Sequence, residues 1–265
     1  MTEIFFPVLI VSGIGFTAGL VLSIASIIMN VPKNEKALKI LDVLPGANCG
    51  ACGFSGCEGY ANALAKGKSN PGLCAPGGDD VATKISDILG VNNKKMDQKV
   101  AFVMCGGNIN CTDKKATYVG ICSCAAAMQV HAGSGKCSYG CIGFGDCTKV
   151  CKYGAISIKD GIAKIDINKC VACGMCVKAC PKNIIKLIPL KNQAVVNCSN
   201  SDKGILTKKA CKVGCIGCKL CEKACNYDAI HVENNLATVD AQKCIGCGKC
   251  RDACPNGCIS IVKCN

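Results

Sequence analysis

Three cysteines spaced two residues apart, with a fourth three residues further on and a proline behind it, occur twice in this chain. They are Cys170, Cys173, Cys176 and Cys180-Pro181, then Cys244, Cys247, Cys250 and Cys254-Pro255. Cys215, Cys218, Cys221 and Cys225 repeat the spacing without the proline. Thiols this close on a loop converge on one inorganic centre more readily than they cross-link distant strands. The C-x2-C-x2-C-x3-C-P run is the ligand pattern of paired [4Fe–4S] cubanes. Its first three cysteines hold one cluster and its fourth reaches across to the other.

The runs belong to an internal repeat. Cys124, Cys137, Cys141, Cys147, Cys151, Cys170, Cys173, Cys176 and Cys180 recur at a constant offset of 74 residues as Cys198, Cys211, Cys215, Cys221, Cys225, Cys244, Cys247, Cys250 and Cys254. GCIG, Ala155-Ile156, Asp166 and Lys169 recur at the same offset. This predicts two tandem bacterial two-cluster ferredoxin-like units. One position breaks the match, because Cys218 falls on Phe144. Cys137, four residues before Cys141, is the expected substitute. The expected ligand sets are Cys137, Cys141 and Cys147 with Cys180; Cys170, Cys173 and Cys176 with Cys151; Cys215, Cys218 and Cys221 with Cys254; and Cys244, Cys247 and Cys250 with Cys225.

A separate motif lies upstream. Cys49, Cys52, Cys57 and Cys74 sit among glycines that let the backbone wrap a cluster closely. A structural zinc site would also take four cysteines, but three within nine residues suit a cubane better. These twenty ligands make five [4Fe–4S] clusters. Of the remaining cysteines, Cys105 or Cys111 with Cys124, Cys198 and Cys211 could hold a sixth; free thiols are the alternative. Cys258 and Cys264 are expected to be free.

The elements that must position these ligands are short. Asn34–Leu44 reads as an amphipathic helix with an asparagine cap, and Glu58–Lys66 as a second helix. Each ferredoxin-like unit reads as strand, turn, strand and cysteine run: AISI, KDG and AKID, then AIHV, ENN and ATVD. Upstream of all this, Ile4–Met29 carries no charge over 26 positions. As a helix it would be about 39 Å long, enough to span a bilayer. A signal peptide would place positive charge before the apolar run. Here Glu3 precedes it and Lys33, Lys36 and Lys39 follow, which predicts an anchor with the rest of the chain in the cytoplasm. Gly15 and Gly19 form a small-xxx-small pair suited to packing against another membrane helix.

The formal charge of +13 would ordinarily suggest nucleic acid. That count treats every cysteine as neutral, whereas a cubane with four thiolates carries about −2 when oxidised. Six would contribute about −12 and leave the loaded chain near neutrality. No basic block with interleaved aromatics is present, so no nucleic-acid partner is expected. There is no phosphate-binding loop and no dinucleotide fingerprint, hence no expected flavin or NAD on this chain. His131 and His231 are isolated, and no acid–base or nucleophile group appears. The expected fold class is α+β. Its parts are a transmembrane anchor (1–30), a small [4Fe–4S] module (31–80), a connecting segment (81–135), a first ferredoxin-like unit (136–190), a linker (191–213) and a second unit (214–265).

An anchor, then LPGANCGACGFSGCEGYANALAKG with its late Cys74, then paired ferredoxin runs, together resemble the B subunit of Rnf-type complexes. These are ion-translocating ferredoxin:NAD+ oxidoreductases. The resemblance covers essentially the whole chain, with a departure at Phe144. It implies an electron-transfer subunit of a translocase in the cell inner membrane, whose partners are the other complex subunits and soluble reduced ferredoxin. It also implies that the chain itself only moves electrons. The Cys49–Cys74 cluster would be the outlet toward the membrane, and the distal units the inlet. The input subunit of a different membrane oxidoreductase is the alternative.

Overall fold

The computed structural model describes residues 2–28, 34–92 and 98–263. Helix α1, Thr2–Ile28, stands by itself, with apolar side chains exposed on every side. Val8–Ser26 is long and apolar enough to cross a membrane by length and composition. Ser12 and Thr17 are satisfied within the helix. Ser12 donates to the Leu9 carbonyl at 3.1 Å, and Thr17 donates to the Gly13 carbonyl at 3.0 Å. A methyl group added at Gly15 or Gly19 would meet nothing, so the notch between them is open.

The next module is three helices around a small apolar core. Helix α2, Glu35–Val43, is capped by Asn34, whose side chain accepts from the Lys36 N–H at 3.0 Å. Helix α3 is Cys57–Ala65, and its start is held by Asn48, which accepts from the Cys57 N–H at 2.8 Å. Helix α4, Gly78–Leu89, falls where the sequence reading places only a connecting segment. Its signals are Asp79 and Asp80 in the first turn and left-handed Gly90 just past the end. Ile40, Tyr60, Leu64 and Ile85 fill the core. The Tyr60 hydroxyl donates to the Asn70 carbonyl at 2.8 Å and accepts from the Leu73 N–H at 3.1 Å, which fixes the loop leading to Cys74.

The remainder is two similar units. In the first, strand β1 is Lys99–Val103, helix α5 Cys124–Gln129 and helix α6 Asp146–Lys149. Strands β2 (Ile156–Lys159) and β3 (Ile162–Ile165), helix α7 (Met175–Ala179) and strand β4 (Ile185–Pro189) follow. The second contains β5 (Gln193–Val196), α8 (Gly204–Ala210), α9 (Leu220–Lys223), β6 (Ile230–Glu233), β7 (Leu236–Val239), α10 (Lys249–Asp252) and β8 (Ile259–Val262). Adjacent strands β2–β3 and β6–β7 form antiparallel hairpins at the expected places. Asp160 and Gly161 both take positive φ in the first turn, as do Asn234 and Asn235 in the second, the geometry of a two-residue hairpin loop.

The other sheets join distant segments. β1 pairs antiparallel with β4, Val103 opposite Ile185, and β5 pairs with β8, Val196 opposite Ile259. β1 and β5 lie in the stretches expected only to connect the units. Each supplies a strand that closes a unit and buries Val100 and Ala101, or Ala194 and Val195. Equivalent bonds align these strands: the Ala101 N–H meets Cys170 Sγ at 3.4 Å, and the Ala194 N–H meets Cys244 Sγ at 3.3 Å. Ala101 and Ala194 are 93 residues apart, against 74 for Cys170 and Cys244, so the first unit holds 19 extra residues between Cys105 and Cys137. Cys105 is therefore the structural counterpart of Cys198. The matching numbers of Cys124 and Cys198 do not mark equivalent positions.

Leu64 is 1% exposed at the centre of the three-helix module. Leu64→Ala should cost about 3 kcal/mol. Calorimetry of the full chain should show this module melting earlier while the later units melt unchanged.

Candidate metal centres

The cysteines gather into six groups of four, numbered here in spatial order. Ring 1 is Cys49, Cys52, Cys57 and Cys74. Burial pushes the Cys74 thiol up, and the nearby sulfurs of Cys57, Cys49 and Cys52 push it further. Ring 2 is Cys151, Cys170, Cys173 and Cys176, which line one cavity with Ala101 and Ile156. Ring 3 is Cys124, Cys141, Cys147 and Cys180. Ring 4 is Cys105, Cys137, Cys198 and Cys211. Ring 5 is Cys215, Cys218, Cys221 and Cys254, with Cys258 beside them. Ring 6 is Cys225, Cys244, Cys247 and Cys250.

The arrangement fits a cluster and not a single ion. Among the described residues, no three Cys, His, Asp or Glu side chains converge tightly enough to hold one metal ion. The thiols of rings 2 to 6 instead line the walls of shared pockets. Zinc would draw four sulfurs onto one point, whereas a cubane spreads its ligands over its corners. Burial and neighbouring sulfurs raise Cys147 to about 12, and Cys176, Cys211 and Cys221 to about 11. Four thiolates in such a space need shared positive charge, which iron supplies. Backbone N–H groups are already turned on several sulfurs. Cys141 N–H meets Cys105 Sγ at 3.4 Å, Cys215 N–H meets Cys198 Sγ at 3.3 Å, and Ala229 N–H meets Cys225 Sγ at 3.4 Å.

Rings 1, 2, 5 and 6 bring together the cysteines that spacing groups. Rings 3 and 4 differ from expectation by one exchange. Cys137, expected beside Cys141 and Cys147, faces Cys105, Cys198 and Cys211. Cys124, expected there, lies with Cys141, Cys147 and Cys180. The cause is local. The chain turns back between Cys137 and Cys141, with Gly140 N–H on the Cys137 carbonyl at 3.3 Å. The 19-residue insertion carries Cys124 in on helix α5. Asp146, next to Cys147, accepts from Ser123 Oγ at 2.8 Å and from Ala125 N–H at 3.0 Å, tying that helix to ring 3. Burial opposes the charge on Asp146, but these bonds prevail and hold its carboxyl below the usual range. Phe144, where a ligand is missing, packs on Tyr118 of the insertion, ring centroids 5.5 Å apart. Cys111 and Cys122 join no ring, and Cys264 lies outside the described residues.

The rings form a single file. The Lys178 ammonium, on the helix that carries Cys176, donates to the Cys49 carbonyl at 3.3 Å, so ring 1 abuts ring 2. Rings 2 and 3 share the first unit through α6 and α7, as rings 5 and 6 share the second through α9 and α10. Ring 4 lies between the units. It draws Cys105 and Cys137 from the first and their counterparts Cys198 and Cys211 from the second. Its sulfurs receive the N–H of Cys141 in ring 3 and of Cys215 in ring 5.

A membrane-spanning candidate helix followed by an α+β array of four-cysteine rings defines a multi-cluster iron–sulfur electron carrier. A family described as a putative Fe-S cluster matches residues 44–76, and 4Fe-4S dicluster domains match 136–192 and 214–259. The B subunit of a Na(+)-translocating ferredoxin:NAD(+) oxidoreductase complex from Acetobacterium woodii is 40% identical over 98% of this chain and 78% of its own length. The B subunit of a proton-translocating ferredoxin:NAD(+) oxidoreductase complex from Clostridium ljungdahlii is 40% identical over 91% and 85%. That of an ion-translocating oxidoreductase complex from Methanosarcina acetivorans is 37% identical over 88% and 89%. The chain belongs to this B-subunit family, as an iron–sulfur electron-transfer subunit of an ion-translocating ferredoxin:NAD+ oxidoreductase.

Cys124→Ser should lower bound iron by about one cluster's worth, whereas Cys111→Ser and Cys122→Ser should leave it unchanged. Anaerobic iron and sulfide assays on the reconstituted chain read this directly.

Proposed function

We propose that this chain receives electrons from reduced ferredoxin at ring 6 and passes them in file through rings 5, 4, 3 and 2 to ring 1. From there they leave to a membrane subunit, in a complex that reduces NAD+ and moves Na+ or H+. The carrying observation is ring 4, whose four cysteines come in equal number from the two ferredoxin-like units. Six [4Fe–4S] clusters on 24 cysteines are proposed, and each, when bound, supplies a site that takes up and releases one electron.

The chain's own residues do the rest. The backbone amides of Ala101, Ala194, Cys141 and Cys215 donate to ligand sulfurs, and such bonds together with burial set potential. Lys182 donates to the Ala132 carbonyl at 2.6 Å and to the Ser138 carbonyl, which holds a cation by Cys180 of ring 3 and Cys137 of ring 4. Ring 6 offers an accessible face, because Cys247 is exposed beside Ile245, Tyr227 and Lys249. An apolar patch with a cation suits an acidic protein partner. The charges around α1 favour a single-pass anchor with the rings on the cytoplasmic side.

Cys137→Ser should remove one cluster, that of ring 4, and separate the two units. After mixing with reduced ferredoxin, freeze-quench EPR should show rings 5 and 6 reduced at the native rate and rings 1 to 3 slowed at least about tenfold. Native rates throughout would refute the single file. Lys249→Glu should slow the first reduction phase by about tenfold at low salt and less at high salt.

A further inference from the structure

Ring 5 has a fifth sulfur that spacing does not explain. Cys258 is 3% exposed, and its Sγ lies 3.5 Å from Cys254 Sγ. It also hydrogen-bonds with Cys215. Ring 5 already has four ligands on a complete cysteine run without it. The other unit shows what Cys258 adds. Its counterpart is Ile184, which lines ring 3. The two positions do the same backbone work: the Ile184 carbonyl accepts from Met104 N–H at 2.7 Å, and the Cys258 carbonyl accepts from Asn197 N–H at 2.7 Å. Those bonds place Cys105 and Cys198 in ring 4. The units therefore differ at this point only in what the side chain presents to the ring, a methyl surface in one and a thiol in the other.

We propose that Cys258 is not a ligand but a buried S–H donor to the sulfurs of Cys254 and Cys215, and that it raises the reduction potential of the ring 5 centre. A donor on a ligating sulfur withdraws electron density and favours the reduced, more negative state. A thiol is a weak donor, so the shift is modest, but Cys258 and Cys215 are buried, where water competes little. The consequence is an asymmetry between otherwise matched units. The centre next to the inlet holds an electron more readily than its counterpart at ring 3. This inference rests on ring 5 holding a cluster.

The test uses the full chain, loaded with iron and sulfide under anaerobic conditions, and EPR-monitored redox titration. Cys258→Ile, which installs the other unit's residue, should lower one midpoint with iron and sulfide unchanged. Cys258→Ser keeps a donor and should hold that midpoint above the isoleucine variant. Ile184→Cys should raise a different midpoint. Unchanged midpoints in Cys258→Ile, or loss of one cluster's iron from it, would overturn the proposal, the latter by making Cys258 a ligand. Cys221→Ser tests the underlying reading separately: it should abolish the signal that Cys258→Ile moves, and unchanged iron there would mean that ring 5 holds no cluster.

Discussion

Sulfur charge gathered in fours is the constraint on which the rest of this molecule depends. Each unit is a pair of two-stranded sheets and a few one-turn helices, far too little to bury a conventional core. The side chains in the centre of the second unit include the ring cysteines Cys215, Cys221 and Cys250 beside Ile230 and Ile259. The ligands are thus also the core, so binding iron and folding are one equilibrium. The same constraint explains the composition. The formal +13 offsets charge that exists only when the thiols are ionised on iron.

Duplication supplies most of the geometry, and one insertion supplies the exception. Both units close with a strand contributed from upstream of their first run, and both place a cysteine two residues past that strand, Cys105 and Cys198. Once the strands pair, these two face each other across the junction, and Cys137 and Cys211 complete the square. A junction between two copies thereby becomes a site that neither copy contains. The 19 extra residues in the first unit then solve a separate problem. They return Cys124 to a ring that lost its middle ligand at Phe144, with Asp146 as the local anchor.

What was legible in the sequence follows physical range. The runs, the hairpins and the N-cap at Asn34 are local patterns, and the chain folds them as their spacing dictates. The exchange of Cys124 and Cys137 was not legible, because the constant offset of 74 residues pairs Cys124 with Cys198 by coincidence. The true counterpart of Cys198 is set by strand pairing, which is a long-range property. β1 and β5 are hidden for a related reason: KVAFV and QAVV are apolar runs too short to identify until β4 and β8 provide partners. Helix α4 has ordinary helix signals in Asp79, Asp80 and Gly90, but the cysteine motif beside it draws the module boundary too early.

The single file also bears on why the chain is asymmetric at its ends. Ring 6 ends the series with Cys247 in solvent, where a soluble partner can approach. Ring 1 belongs to the module that follows the apolar helix, and its contact with ring 2 runs through Lys178 and the Cys49 carbonyl. The two ferredoxin-like units are joined by a shared ring and by backbone bonds, Gly106 N–H to the Asn197 carbonyl at 2.9 Å and Lys212 N–H to the Cys111 carbonyl at 2.8 Å. In the proposed file, a joint at ring 1 lighter than the one at ring 4 would let the module behind the apolar helix seat against a membrane subunit without disturbing the rings that follow.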